Sequence, residues 1–486
     1  MDTYAPLVAD LKLALAAPVA LAALLLCLAP LLRWGIPPLL RACRCCGQEG
    51  LDARGGAKAL ARVRGDDEFR TLRHEFQWTQ GSMPSARSGY TLHTQTWTAA
   101  ATKEPPRARG LLILLHGLYS HVGEVFFTSD YKIEGSMLER YLGMGFVVCA
   151  VDHQSMGQSE GWQGLRGHIW SVDDVVDDTV KFIVQMRARF PGLKTFVHGH
   201  SFGGQVALLS SVRCAAAQQP LDGMILTTPA CAMTEQAKAE NASTIKYLWW
   251  LPLFLPWLPV GTTPQNDAYP ALQARFETDP LCVNVNVRCA YGFELLRKFF
   301  WFDDGKGFEK ITTPFVVVHG KSDPLASPAG SKMLFDRSSS TDKSAYFIAN
   351  MFHDMLLEPG APTVFRVIDD WLLQRTGENA KAQTDGVAVC KDSFVAEGTD
   401  VIEEDILHAL RHRVSVENAV VHRLKGAKVK LKAMSALLHT AMHTMGGVGG
   451  AGGADGTGGA GGAGGAGGAG GAGGATDHKN TRMKKD

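Results

Sequence analysis

Short, largely apolar runs punctuate the chain between residues 110 and 350, separated by stretches whose apolar residues recur at helical spacing. The runs are Leu111-Leu112-Ile113-Leu114-Leu115, Phe146–Val151, Thr195–His198, Met224–Thr227, Phe315–Val318 and Ala345–Ala349. Continuous apolarity over so few residues fits a strand covered on both faces, as in a parallel sheet. Between the runs, Met137–Leu142, Val172–Arg189, the segment after Ser201 and Thr363–Arg375 read as helices. Strands and helices alternating at this spacing predict a mostly parallel, right-handed α/β sheet. Ahead of it, Phe69–Thr79 and Tyr90–Thr98 alternate polar and apolar residues with glycine and proline between them, which predicts an opening antiparallel hairpin.

Other stretches break this rhythm. Residues 230–300 lie between two sheet strands and contain Trp249-Trp250-Leu251-Pro252-Leu253-Phe254-Leu255-Pro256-Trp257-Leu258-Pro259. That run is too proline-broken for a helix and too apolar for a solvated loop. It predicts a mobile cap with a greasy face, plain packing on the core being the alternative. Residues 13–32 form an uncharged apolar run long enough to cross a bilayer. Pro18 and Pro30 are tolerated in such a segment, and Arg33, Arg41, Arg44 and Arg54 after it put the downstream chain in the cytosol. Asp2 and Asp10 against Lys12, with no small-residue cleavage site, count against a removed signal peptide. Cys43, Cys45 and Cys46 just beyond the membrane edge suit palmitoylation better than zinc, for which a fourth ligand is missing nearby; inert thiols are the alternative. Residues 399–445 carry a basic helical pattern, and the Gly-Gly-Ala repeats from Gly446 to Ala475 cannot bury a core and predict disorder.

Composition narrows the class. Hydrophobic residues make up 45% of the chain, enough for a full core, and 49 Lys+Arg against 48 Asp+Glu leave no bias toward nucleic acid. The ten cysteines lack paired metal-ligand spacings and fit a reducing compartment.

The chemistry centres on Gly199-His200-Ser201-Phe202-Gly203, preceded by a strand and followed by a helix. Glycines two before and two after the serine let strand and helix approach while the serine occupies a strained apex. A nucleophilic serine needs a base, and the base an orienting acid. In the chain order serine, acid, histidine, Asp323 follows the Phe315–Val318 strand in Gly320-Lys321-Ser322-Asp323-Pro324, and His353 follows the next strand. Asp354 is the competing carboxylate, but an adjacent residue rarely orients its neighbour's ring. Two preorganised N–H donors must hold the oxyanion: Phe202 at the helix start and Leu118 in the loop after Leu111–Leu115 are the candidates. His116 precedes the serine and reads as a loop-shaping residue rather than a second base. The His-x4-Asp spacing of His168 and Asp173 occurs in some acyltransferases, but helix capping by Ser171 or Asp173 explains it as well. Asn241-Ala242-Ser243 is a glycosylation site only for a luminal domain, against the charge rule.

Together these motifs resemble the monoacylglycerol lipase and lysophospholipase-like group of α/β-hydrolases, related to the serine aminopeptidase-like hydrolases, over roughly residues 66–375. The resemblance rests on His116-Gly117, on Asp152-His153-Gln154-Ser155-Met156-Gly157-Gln158-Ser159-Glu160-Gly161, on Phe190-Pro191-Gly192 leading to Gly199-His200-Ser201-Phe202-Gly203-Gly204, on Asp279-Pro280-Leu281, on Gly320-Lys321-Ser322-Asp323 and on His353. Family members often have a small residue and then a Glu-His pair where this chain reads Leu118-Tyr119-Ser120-His121. The resemblance implies the α/β-hydrolase fold, a mostly parallel sheet flanked by helices with an inserted cap. It implies ester hydrolysis through an acyl-serine, with Ser201, Asp323 and His353 as triad, Leu118 and Phe202 as oxyanion donors, and no metal or organic cofactor.

The expected organisation is an anchor with its Cys/Arg segment over 1–45, a linker over 46–65 and the hydrolase domain over 66–376, its cap at about 230–300. A C-terminal extension with a basic helix covers 377–445 and a Gly/Ala tail 446–486. The expected substrate is a lipid ester, a monoacylglycerol or a lysophospholipid, met at a membrane through the N-terminal segment and the cap, by a domain in the cytosol. The same machinery acting on another small ester, or as a transacylase, is the nearest alternative. A non-catalytic scaffold is argued against by the intact triad, and a peptidase by the apolar cap, which suggests no acidic pocket for a free amino terminus.

Overall fold

The computed structural model describes residues 76–99, 108–235, 251–261, 268–303, 306–376 and 388–395, with single positions at 239 and 266. The chain divides into two units, Met1–Arg411 and His412–Asp486, and every described residue belongs to the first. Residues 13–32, the cysteines at 43, 45 and 46, the linker and the residues beyond 395 lie outside the described set. Among the described residues no helix is long and apolar enough to cross a membrane.

In chain order the elements are β1 (Phe76–Pro84), β2 (Thr91–Ala99), β3 (Gly110–Leu115), α1 (Val122–Phe126), α2 (Met137–Gly143), β4 (Phe146–Val151), α3 (Val172–Arg189), β5 (Thr195–His200), α4 (Phe202–Ala216) and β6 (Gly223–Thr227). The cap follows with α5 (Leu251–Phe254), β7 (Pro259–Gly261), α6 (Pro270–Thr278), β8 (Val287–Arg288) and α7 (Cys289–Asp303). The sheet resumes with β9 (Phe315–Gly320), α8 (Pro328–Arg337), β10 (Lys343–Ala349), α9 (Ala361–Thr376) and β11 (Ala388–Val395).

Nine strands form the sheet in the order β1-β2-β4-β3-β5-β6-β9-β10-β11. The pairs β1–β2 and β2–β4 are antiparallel and the rest parallel. Side chains alternate across each strand, so the apolar runs feed two cores. Leu111, Ile113 and Leu115 pack with Val172 and Val176 of α3 and Phe202 and Val206 of α4. Leu112 and Leu114 face the other way, toward Leu138 and Tyr141 of α2 and Ile368 and Trp371 of α9.

Two features differ from the sequence reading. β1 runs through Gly81 to Pro84, and the turn comes later, closed by Ser85 N–H on the Tyr90 carbonyl at 2.7 Å. Proline is tolerated there because β1 is an edge strand. Past Thr376, inside the stretch read as an extension, β11 adds a parallel edge strand to β10. Its sequence, AVCKDSFV, mixes polar and apolar residues and so lacks the uniform apolarity of the inner strands.

Trp371 clamps α9 to the strands that lead into the elbow. Its ring meets Phe196 edge-on at 6.2 Å, and its tip fills the space a side chain at Gly223 would occupy, 2.5 Å from the missing Cβ. Trp371→Ala is therefore expected to cost about 3–5 kcal/mol, read as a lowered midpoint in urea unfolding.

Candidate active site

β5 ends at His200 and α4 begins at Phe202, so the chain turns at Ser201, whose φ of 53° and ψ of −117° are strained for a residue with a side chain. The turn needs its glycines. A Cβ on Gly199 would lie 2.3 Å from the Gly203 carbonyl oxygen, and one on Gly203 would lie 2.2 Å from that of Leu115. Backbone bonds hold the apex: Ser201 N–H donates to Thr227 O at 3.0 Å, and its carbonyl accepts from Ala230 N–H at 2.9 Å. Phe202, as first residue of α4, has an N–H with no carbonyl one turn earlier in the helix to accept it.

The loops after β9 and β10 bring the later residues together. His353 Nδ1 lies 2.7 Å from Asp323 Oδ2. The other carboxylate oxygen accepts the N–H groups of Leu325 and Ala326 at 2.8 and 3.1 Å. The His353 ring centre lies 5.1 Å from that of His200, the residue before Ser201, and its carbonyl accepts from Thr228 Oγ1 at 3.2 Å. Gly320 makes this packing possible, since a Cβ there would sit 2.3 Å from the Phe352 carbonyl oxygen. Burial alone would lower the His353 pKa, but the charge and hydrogen bond of Asp323 outweigh it and raise it to about 9. Burial alone would raise Asp323, yet His353 and His319 hold it well below the usual carboxylate range.

His319 escaped the sequence reading. Its Nε2 lies 3.1 Å from Asp323 Oδ2 and its Nδ1 2.6 Å from Ser331 Oγ. Its position four residues before Asp323, at the end of a buried strand, was the available signal.

The loop after β3 lies against the elbow. A Cβ at Gly117 would fall 3.3 Å from the His200 ring and 3.5 Å from Ser201 Cβ. Leu118 follows, half-buried against the core, and Tyr119 takes a left-handed φ of 61°. His116 is fully buried. It accepts the His153 N–H at Nε2 (2.9 Å) while Nδ1 bonds the Gly117 carbonyl, and desolvation drives its pKa well down. It is a neutral loop-former, as expected. Ser171 caps α3 through the Asp173 N–H at 3.1 Å. The Asp173 carboxylate is engaged by Arg213, Arg297 and Lys298, which removes it from any pairing with His168.

Polar residues link the loop after β3, the cap and the residue after His353. Ser120 Oγ donates to Glu124 Oε2 at 2.7 Å, and Arg275 Nη1 to Glu124 Oε1 at 3.2 Å. Asp354 Oδ1 lies 3.9 Å from His200 Nε2, and its Oδ2 accepts from Asn266 Nδ2 at 2.6 Å. His121 Nε2 bonds Asp279 Oδ2 at 2.8 Å, Tyr131 hydroxyl bonds the same oxygen, and Leu281 N–H bonds Oδ1 at 2.8 Å. His121, Asp279 and Cys282 bring metal-type donors within 4.8 Å of one another. The Asp279 oxygens are already engaged, so the cluster acts as a hydrogen-bonded tie between cap and loop.

A doubly covered sheet of this order, with a serine elbow after its fifth strand, defines an α/β-hydrolase. The family model described as serine aminopeptidase, S33, matches residues 106–360, and the chain belongs to that family. It is a serine ester hydrolase. Human monoglyceride lipase is 29% identical over 300 residues, covering 59% of this chain and 88% of the relative. A monoacylglycerol lipase of Mycolicibacterium smegmatis is 24% identical over 271 residues, covering 54% and 88%. The solved structure of a soluble variant of monoglyceride lipase from Saccharomyces cerevisiae, in complex with a substrate analogue, shares the fold. Its TM-score is 0.50 at 18% identity, over 62% of this chain and 96% of that one.

Gly203→Ala drives a methyl group into backbone rather than into a yielding side chain. It is expected to cost about 3 kcal/mol in urea unfolding, whereas Gly143→Ala, open to solvent on α2, should leave the midpoint unchanged or raised.

Proposed function

We propose that this protein hydrolyses a carboxylic ester of a single-chain lipid, a monoacylglycerol or a lysophospholipid, through an acyl-serine on Ser201. The observation that carries the reading is the strained Ser201 elbow with the Asp323–His353 pair beside it. Ser201 Oγ attacks the ester carbonyl while His353 Nε2 takes its proton. Asp323 fixes the ring through Nδ1 and stabilises the imidazolium. The oxyanion is held by the N–H groups of Phe202 and Leu118. His353 returns the proton to the departing alcohol, and water, activated by the same imidazole, then releases the fatty acid and restores Ser201.

The lipid part of the reading is supported by the monoglyceride lipases among the relatives and by the cap. Leu253, Phe293 and Phe300 stand out there as exposed large apolar side chains, Leu253 and Phe300 by more than half. Residues 13–32 would anchor the enzyme, with the catalytic domain on the cytosolic side as the arginines after the run dictate.

Ser201→Ala is expected to abolish labelling by a fluorophosphonate probe and to lower hydrolysis of 1-oleoylglycerol or oleoyl-lysophosphatidylcholine by about 10⁶-fold. Full labelling of the variant, in a folded protein, would sink the assignment. The His353 environment sets the pH profile. Only the neutral ring accepts a proton, so kcat/KM should climb as pH rises through an apparent pKa above the ordinary value of about 6.5, toward about 9. In Asp323→Asn the main stabilising charge is gone, and the smaller pulls of Asp354 and Glu358 are left against desolvation. The residual activity, down about 10⁴-fold, should have its acid limb shifted to lower pH than that of the wild type; an unmoved limb would contradict the pairing.

A further inference from the structure

This inference rests on the proposed ester hydrolysis and concerns the alcohol that leaves. His353 must hand its proton to the alcohol oxygen, so that oxygen lies within hydrogen-bond reach of the ring. The head group attached to it then falls among the neighbours of His353. Among those neighbours are two side-chain acceptors, Asp354 and, through it, Asn266. Asp354, the next residue, sets its carboxylate against His200 at 3.9 Å, and its side chain keeps 24% exposure between two buried neighbours, His200 and Asn266. Asn266 is 3% exposed; it gives its amide N–H to Asp354 at 2.6 Å, which leaves its carbonyl oxygen, Oδ1, buried without a partner. Glu124 lies within electrostatic range of Asp354, but its carboxylate is already engaged by Ser120 and Arg275. The cation nearest to Glu124, Arg275, has its terminal nitrogens engaged by Glu124 and by the carbonyls of Gly123, Glu124 and Thr128, under the Tyr131 ring.

We infer that Asp354, with Asn266, forms the head-group wall of the site and selects a leaving alcohol that donates hydrogen bonds and carries no phosphate. Hydroxyl groups satisfy the Asp354 carboxylate and the orphaned Asn266 oxygen. A phosphate oxygen brings charge of the same sign against them and offers no proton in return.

The test uses the full-length protein and two substrates that differ only by the phosphate, 1-oleoylglycerol and 1-oleoylglycerol 3-phosphate, in the same neutral detergent micelles. The wild type is expected to favour the phosphate-free ester by about 10-fold or more in kcat/KM. Asp354→Asn should narrow that ratio by about 5-fold. Asp354→Ser should narrow it to a similar degree, which guards against a folding defect in either variant. A change in His353 basicity affects both substrates alike and cancels in the ratio. Equal hydrolysis of both esters by the wild type, or a ratio that neither variant moves, overturns the wall while leaving the ester hydrolase intact. Hydrolysis of neither ester by a protein that still labels at Ser201 overturns the lipid reading, and the wall with it.

Discussion

The site depends on backbone meeting backbone without side chains between. At Gly203 the start of α4 lies against the Leu115 carbonyl, and at Gly320 the end of β9 lies against the carbonyls of Met351 and Phe352. The first contact seats the elbow beside the loop that carries Leu118; the second seats the loop that carries His353 beside Asp323. A methyl group at either place has no flexible neighbour to displace. The serine itself bears the strain of this closeness in its φ of 53°, over-determined by hydrogen bonds to Thr227 and Ala230.

Electrostatics then divides the buried histidines by their partners. His116, His153, His198 and His200 are buried where desolvation prevails, and all are pushed toward the neutral form. His353 is as well enclosed, yet the Asp323 carboxylate turns the balance and makes it the basic one. Asp323 sustains this because two backbone N–H groups and His319 stabilise its charge. Removing the carboxylate therefore takes away both the charge that keeps the ring basic and the hydrogen bond that fixes it.

What the sequence disclosed follows from how local each signal is. Inner strands stand out because burial on both faces demands uninterrupted apolar residues, and the elbow because close approach demands glycine at fixed offsets. β11 was hidden because its mixed sequence has no uninterrupted apolar run to mark it as a strand. Asp323 and His353 could be found from chain order and strand ends, whereas His319 needed the turn after β9 to fold back on itself. The polar wall was beyond sequence reasoning altogether. Asn266 and Asp354 stand 88 residues apart, and Arg275 reaches Glu124 across 151, so no spacing rule joins them. In the sequence alone Asp354 competes with Asp323 as orienter of His353. The structure turns its carboxylate instead toward His200 and Asn266.

The tie between cap and core gives these distant residues a common frame. Asp279, late in the cap, accepts from His121 and Tyr131 while capping its own turn through Leu281. Val283 N–H bonds the carbonyl of Tyr119, the residue after Leu118, at 2.7 Å. The segment that closes the cap is thus bonded to the loop that carries a candidate oxyanion donor, and Arg275 one turn earlier fixes Glu124 on α1, the helix that follows that loop. Cap and oxyanion loop are set by one network, so a change of cap sequence reshapes the head-group side of the site while the contacts that seat Ser201 and His353, made within the sheet domain, stay as they are.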